Sequence, residues 1–289
     1  MAIDDAMDFV GQTLSWRREG PTIEVELHRA PLNEIGTTTL DELERLAAYV
    51  DAGAGGARAL ILWSSRPGFC AGADLRELHA GLLQRRERFE GLGPLARRGL
   101  RRVARPLVRR QIRRFIDRIH AVFDVLDTAP LTTVAACHGV VFGGGFELAL
   151  TADLIVAERT ARFCFPELRL GIIPGFGGIP RLNRDVGNAV VRDLLLTGRS
   201  LNAKRAQAVG LVSQVVPRGE GLAAARRVAA QAARYEDPTR IAAKRFLKPL
   251  PADALAREKA IFCDLVTRPE TLAALQRFVD DDSAQPYLS

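Results

Sequence analysis

Two glutamates stand where carboxylates can do acid–base work. Glu147 follows three glycines in "VFGGGFELAL" (141–150), and Glu167 follows a proline in "FCFPELRLGIIPGFGG" (163–178). The proline fixes an extended approach to Glu167, and the aromatic residues before it predict partial burial. A buried carboxyl holds its proton more tightly and suits proton transfer near neutral pH. The glycines Gly143, Gly144 and Gly145 make a poor helix or strand interior, because glycine loses the most backbone entropy on folding. If they open a helix over Glu147–Leu150, its first amides lack intrahelical partners and point outward, a site for a negative oxygen, resident or developing. The same glycines equally suit a tight turn packing strand on helix, and the stretch alone does not separate the two readings. Taken singly, each glutamate would serve as well on a surface or in a cap.

A second glycine-bearing turn, "GFCAGADLREL" (68–78), follows an apolar run and precedes a helix that Asp74 is placed to cap. Two such turns could supply one amide donor each to a single oxyanion.

The elements that must position these turns are legible as periodicities. "PTIEVELHR" (21–29) alternates like a half-buried strand, "LDELERLAAYV" repeats at helical spacing, and "ARALILW" (57–63) reads as a buried strand. "LTTVAACHG", "DLIVAE" (153–158) and "ARFCFPEL" continue the strand series, so the fold class is α/β, layered. From about residue 203 helix-like pieces dominate, with one short strand in "LVSQVV". The predicted division is a core over 12–202 with an arginine-rich helical insertion at about 79–118, and a helical region over 203–289.

Composition narrows the class further. The 289 residues, 47% hydrophobic and 26% charged, describe a globular chain. The acidic start "MAIDDAMDFV" does not resemble an export signal, and "LTTVAACHGVVFGGGFELALT", near a membrane span in length, carries His138, Glu147 and the glycine cluster; a cytoplasmic protein without a transmembrane segment is expected. Cys70, Cys137, Cys164 and Cys263 have no metal-ligand spacing, and the four histidines are scattered, so neither a metal centre nor a serine triad is expected. Net charge is +7, and only four of the 41 basic residues, Lys204, Lys244, Lys248 and Lys259, are lysine. Genome composition alone produces such a skew, so it does not imply nucleic acid.

Residues 85–114 concentrate twelve arginines against Glu87 and Glu90. Leu100, Val103, Leu107, Ile112, Phe115 and Ile119 recur there at amphipathic spacing, interrupted by Pro106. The preferred reading is a solvated arginine face over a stripe that packs on the core. Docking to an acidic carrier protein or an anionic surface, through arginines such as Arg101, Arg102, Arg109 and Arg110, is the alternative.

Taken in order, "LNEI", "GFCAGADLREL", "HGVVFGGGFELALTADLIVA", "ARFCFPELRLGIIPGFGGIPRL", "LLLTGRSLNAKRAQAVGLVSQVV" and "PTRIAAKRFL" resemble the enoyl-CoA hydratase, or crotonase, superfamily over roughly residues 14–280. The resemblance implies a spiral of ββα repeats followed by a helical trimerisation region, in trimers or hexamers. It implies that the backbone amides of Ala71 and Gly144 bind the thioester oxygen. It implies that Glu147 and Glu167, twenty residues apart as in the family, add water reversibly and syn to a trans-2-enoyl-CoA. Coenzyme A would enter as part of the substrate, with no separate cofactor and no metal. Arg66, Asp74, Leu75, Arg76 and Gly143 would flank it, the two arginines being suited to its phosphates. Double-bond isomerisation, or the same chemistry on a carrier-linked acyl group, are the alternatives. The chain departs from the family pattern in the arginine-rich insertion, in the acidic stretch after Phe278, and in Ile179 and Pro180, where threonine and glutamine are usual.

Overall fold

A computed structural model describes residues 8–87 and 94–280. Residues 88–93, the side chains of 82–108 (Arg101, Arg102, Leu100, Val103 and Leu107 among them) and the acidic stretch 281–289 lie outside the described residues.

The chain begins with β1 (Phe9–Val10), β2 (Leu14–Glu19), β3 (Thr22–Leu27), α1 (Thr37–Asp51), β4 (Ala59–Ser64), α2 (Leu75–Glu87) and α3 (Pro94–Thr128). It continues through β5 (Thr132–Cys137), β6 (Val140–Phe142), α4 (Gly144–Ala149), β7 (Leu154–Glu158), β8 (Arg162–Cys164), α5 (Gly178–Val186) and α6 (Asn188–Thr197). The remainder is β9 (Leu201–Asn202), α7 (Ala203–Ala208), β10 (Gln214–Val216), α8 (Gly221–Ala232), α9 (Asp237–Leu247), α10 (Ala252–Leu265) and α11 (Pro269–Asp280).

The main sheet has the order β1-β2-β3-β4-β5-β7-β10, antiparallel through β3 and parallel beyond it, and β6, β8 and β9 form a smaller sheet. Parallel strands covered on both faces read as continuous apolar runs. Their alternate side chains divide accordingly: Leu60, Leu62 and Ala135 join α1 and α3 in one core, while Ile61, Val134 and Val156 pack on Ala224, Ala225 and Ala229 of α8. This cover corrects the expectation for β3. Its polar face is not solvated, because Arg226 of α8 reaches over to buried Glu24 with bonds of 2.6 and 2.7 Å.

One further expectation holds and another shifts. The short strand expected in "LVSQVV" is β10, which pairs with β7 in the main sheet, and α8 beyond it covers β4 and β5. Pro106 does not interrupt the arginine-rich segment: α3 is one helix of 35 residues, in which a proline removes a single backbone hydrogen bond. Ile112, Ile116, Ile119 and Phe123 of α3 are buried and Phe115 is half-buried against them, so the described part of the apolar stripe packs on the core. Arg109 pairs with Asp264 of α10 at 2.6 Å, and Arg118 holds Asp41 and Glu44 of α1. These described arginines therefore make intramolecular pairs. Among the described residues no helix is long and apolar enough to cross a membrane.

Candidate active site

The smaller sheet brings the two glutamates together. β6 and β8 are parallel neighbours, Glu147 follows the end of the first and Glu167 the end of the second. Gly143 N donates to Cys164 O at 3.0 Å, extending the pairing to the turn itself. Gly143 has φ 49°, the left-handed region where a side chain is strained, and an added Cβ would lie 2.8 Å from Glu167 Oε1. At Gly144 the constraint is close approach: a Cβ there would lie 2.7 Å from the Phe176 ring and 3.4 Å from Ala73 N. The glycine run is thus both a turn and an exposed backbone.

Glu147 is 2% exposed, and its Oε1 accepts hydrogen bonds from Phe176 N and Gly178 N, both at 2.8 Å. Burial pushes its carboxyl up to about 7, against the lowering effect of these two amides and of the Arg181 charge. Glu167, also buried, opens a 3-10 turn (Glu167–Leu170), and its Oε2 has no hydrogen-bond partner among the described residues. Burial, and next the charge of Glu147, hold this carboxyl well above the ordinary range. Both carboxyls thus hold a proton more tightly than a solvated glutamate does, and the charge of the first acts on the second, an arrangement in which one group can serve as base and the other as acid.

The amide assignment needs a correction. Ala71 N donates to Leu32 O at 2.9 Å and so does not face a ligand. Just beyond it, Gly72 O accepts from Ile35 N and Asp74 N donates to Ile35 O, which turns the intervening Ala73 amide to the opposite side. There it lies beside Gly144. The donor pair defined by the geometry is Ala73 N and Gly144 N, roofed by the Phe176 ring. Phe115 and Phe123 of α3 pack on that ring at centroid distances of 6.4 and 6.0 Å. Because α4 spans only six residues, an oxyanion placed there would be held by the individual amides and not by a long helix dipole.

The flanking residues hold the turn. Asp74 caps α2 by accepting from Glu77 N at 2.8 Å and pairs with Arg29, and Leu75 is buried behind it. Arg66 Nε donates to His28 O at 2.6 Å. Arg76 Nη1 donates to Val279 O at 3.1 Å, and its guanidinium lies over the Phe278 ring.

Four residues that sequence reasoning passed over complete the site. Besides Phe176, fully buried Arg181 binds Phe176 O, His120 Nε2 meets Gly175 O at 2.9 Å, and Glu258 of α10 accepts from Gly177 N and Ile179 N. Burial lowers His120 to about 4, so near neutrality it is an uncharged support for the loop. A signal for Glu258 existed: Leu255, Glu258 and Phe262 share one stripe of an amphipathic helix, which puts a carboxylate at a core position.

Comparison with known proteins agrees with this architecture. The family model described as Enoyl-CoA hydratase/isomerase matches residues 109–281. A protein of Rhizobium meliloti (strain 1021) named "Probable enoyl-CoA hydratase" is 31% identical over 283 residues, 95% of this chain and 97% of that one. The mitochondrial methylglutaconyl-CoA hydratase of Rattus norvegicus is 35% identical over 211 residues, 73% of this chain, and the match spans 57% of that relative's length. A solved enoyl-CoA hydratase from Bacillus anthracis superposes with TM-score 0.69 at 26% identity, covering 93% of this chain and 96% of the other. The chain belongs to the enoyl-CoA hydratase/isomerase family and has the crotonase fold.

Proposed function

We propose that this chain is an enoyl-CoA hydratase, adding water reversibly to a trans-2-enoyl thioester. The observation that carries the reading is the pair of buried carboxyls, Glu147 and Glu167, on neighbouring turns beside two outward-facing amides. As water attacks the β-carbon, Glu147 takes its proton, and negative charge moves through the conjugated system to the thioester oxygen. Ala73 N and Gly144 N receive that charge, each donor contributing about 2.7 to 4 kcal/mol by the scale of other oxyanion holes. Glu167 then gives its proton to the α-carbon, and exchange of protons with water resets the pair. Arg66 and Arg76 would serve the phosphates of coenzyme A by exchanging a backbone carbonyl for a phosphate oxygen.

The test is loss of the conjugated-thioester absorbance of crotonyl-CoA, of a longer trans-2-enoyl-CoA, and of methylglutaconyl-CoA, the acyl group in the name of the rat relative. Wild-type turnover of at least one supports hydration. Inertness toward all three, with migration of the double bond in a 3-enoyl-CoA, would replace the reading by isomerisation. The pH dependence of kcat/KM is expected to be bell-shaped. It should fall as pH drops through about 7, where Glu147 gains a proton, and fall again at higher pH, where Glu167 loses its own. The two limbs belong to the pair and not to either residue alone. A profile that is flat from pH 5 to 9 would remove the acid–base assignment.

Self-association belongs to the same proposal. Helix α9 buries no apolar side chain against the rest of the chain and is tied to it through polar groups, Arg240 to Pro130 O at 3.0 Å and Lys244 to Asp153 at 2.9 Å, with Lys248 reaching Asp127 just beyond its end at 2.8 Å. Phe246 is 85% exposed and Leu247 76%. An amphipathic helix in this state needs a partner, and a homotrimer or hexamer supplies one. Sedimentation at micromolar concentration should show three or six copies of the 31.6 kDa chain, and a monomer would refute this part.

A further inference from the structure

The loop Gly175–Ile179 stands between two carboxylates, and its amides alternate between them. Phe176 N and Gly178 N donate to Glu147 Oε1 at 2.8 Å. The intervening Gly177 N and Ile179 N donate to Glu258, at 2.7 Å to Oε1 and 2.8 Å to Oε2. Peptide planes are rigid, so fixing the odd pair of N–H directions restricts the even pair. The carbonyl side is held as well, Phe176 O by Arg181 Nη1 at 3.0 Å and Gly175 O by His120.

Glu258 is buried and arrives on α10 with two apolar neighbours that fit the same loop. A Cβ at Gly175 would lie 2.5 Å from the Phe262 ring, and one at Gly177 would lie 2.6 Å from Leu255 Cδ2. A carboxylate is an expensive way to dock a helix, because its desolvation is offset only by hydrogen bonds to it. Both of those bonds go to the loop that carries the donors of Glu147. The reaction proposed above gives this third acid no proton to move.

We propose that Glu258 is a positioning residue for hydration: it holds Gly177 and Ile179 so that Phe176 and Gly178 present their N–H groups to Glu147. The inference rests on Glu147 being catalytic. Its geometric half does not require turnover and is tested without it.

Glu258→Gln preserves volume but replaces one acceptor with an NH2 group facing a backbone N–H, so one of the two loop amides must be released. Residue-resolved hydrogen exchange should then show Phe176 and Gly178 exchanging roughly tenfold faster or more, although neither bonds Glu258, with β4 and β5 unchanged. In the hydratase assay kcat should fall about 10- to 100-fold, the scale of a displaced catalytic group, with KM within about threefold. On the Glu147→Gln background the same change should cost little more, because it acts through that carboxylate. Faster exchange confined to Gly177 and Ile179 would overturn the proposal, as would an unchanged kcat or a loss that multiplies with that of Glu147→Gln. If the Gln variant does not fold, Glu258→Asp, which keeps both carboxyl oxygens but sets them one methylene back from the loop, carries the same comparison: Phe176 and Gly178 should exchange faster and kcat should fall, and wild-type exchange with wild-type kcat would overturn the proposal. A wild type inert toward every enoyl thioester would refute the hydratase reading, and the exchange result would still decide whether Glu258 orders the loop.

Discussion

Glu147→Gln and Glu167→Gln are each expected to slow hydration by about 10²- to 10⁴-fold, the range for a lost general acid or base. The double variant should be little slower than the worse single one. Each carboxyl is useful only while the other is present, since proton removal from water and proton delivery to the α-carbon belong to one reaction coordinate. Glutamine keeps the acceptor that Phe176 N and Gly178 N use on Glu147, so the loop stays in place and the loss reports proton transfer. KM should change far less than kcat. Full additivity would mean that the two groups act in separate steps.

The same substitutions carry a stability signature of opposite sign. An acid whose folded pKa is raised binds a proton in the native state that the unfolded chain releases, so stability falls as pH rises above the unfolded value. Glu167 is raised well above its model-peptide value of 4.5, first by burial and then by Glu147. Its cost is therefore absent below pH 4.5 and grows above it. Glu167→Gln should melt at a higher temperature than wild type at pH 8, and the difference should vanish on acidification. A site residue that lowers stability while raising rate is a common functional trade. Equal melting temperatures at pH 8 would mean that Glu167 is solvated.

How much of this was legible beforehand depends on how local each signal is. Glu147, Glu167 and Gly144 announce themselves through adjacent glycines and a proline, and β4, β5 and β7 through unbroken apolar runs. The direction of one amide is not local. Ala73 and not Ala71 faces Gly144 because Ile35, far upstream, bonds to the residues on either side of Ala73. The cover on β3 came from Arg226 across the whole chain, which no period-two pattern contains. Arg181 stood in the quoted stretch "GFGGIPRL" among many arginines. Nothing in its neighbours says that it is the one with no exposed surface, because its carboxylate partners, Asp124 and Asp127, lie on α3.

Arg181→Met is expected to destabilise the fold by about 3 to 5 kcal/mol, the cost of breaking a buried ion pair by removing one partner. The guanidinium makes a 2.9 Å bond to Asp127 Oδ2, a 2.6 Å bond to Asp124 Oδ1 and a 3.0 Å bond to Phe176 O. Methionine fills the volume and satisfies none of them. Asp127 would retain Arg184 and Lys248, but Phe176 O would be left buried without its donor. Arg181→Lys keeps the charge and loses the fork, so it should fall between the two. Acid titration separates the charge from the packing. Burial alone would raise the Asp127 carboxyl; the charges of Lys248, Arg181 and Arg184 reverse this and hold it at about 2. A depressed folded pKa gives stability that is present above the unfolded value of 3.8 and is lost as pH falls toward 2. Wild type should therefore lose stability steeply across that window, and the Met variant less steeply, because one of the three cations is gone. The same acid joins α3, α5 and, through Lys248, the segment that follows α9. Protonating Asp127 should thus loosen the helical region through which self-association is proposed, so dissociation of such an oligomer on acidification should begin at higher pH in Arg181→Met than in wild type. If the two chains instead melt alike and dissociate alike, Arg181 holds the Phe176 peptide only, and its substitution should then show in kcat alone.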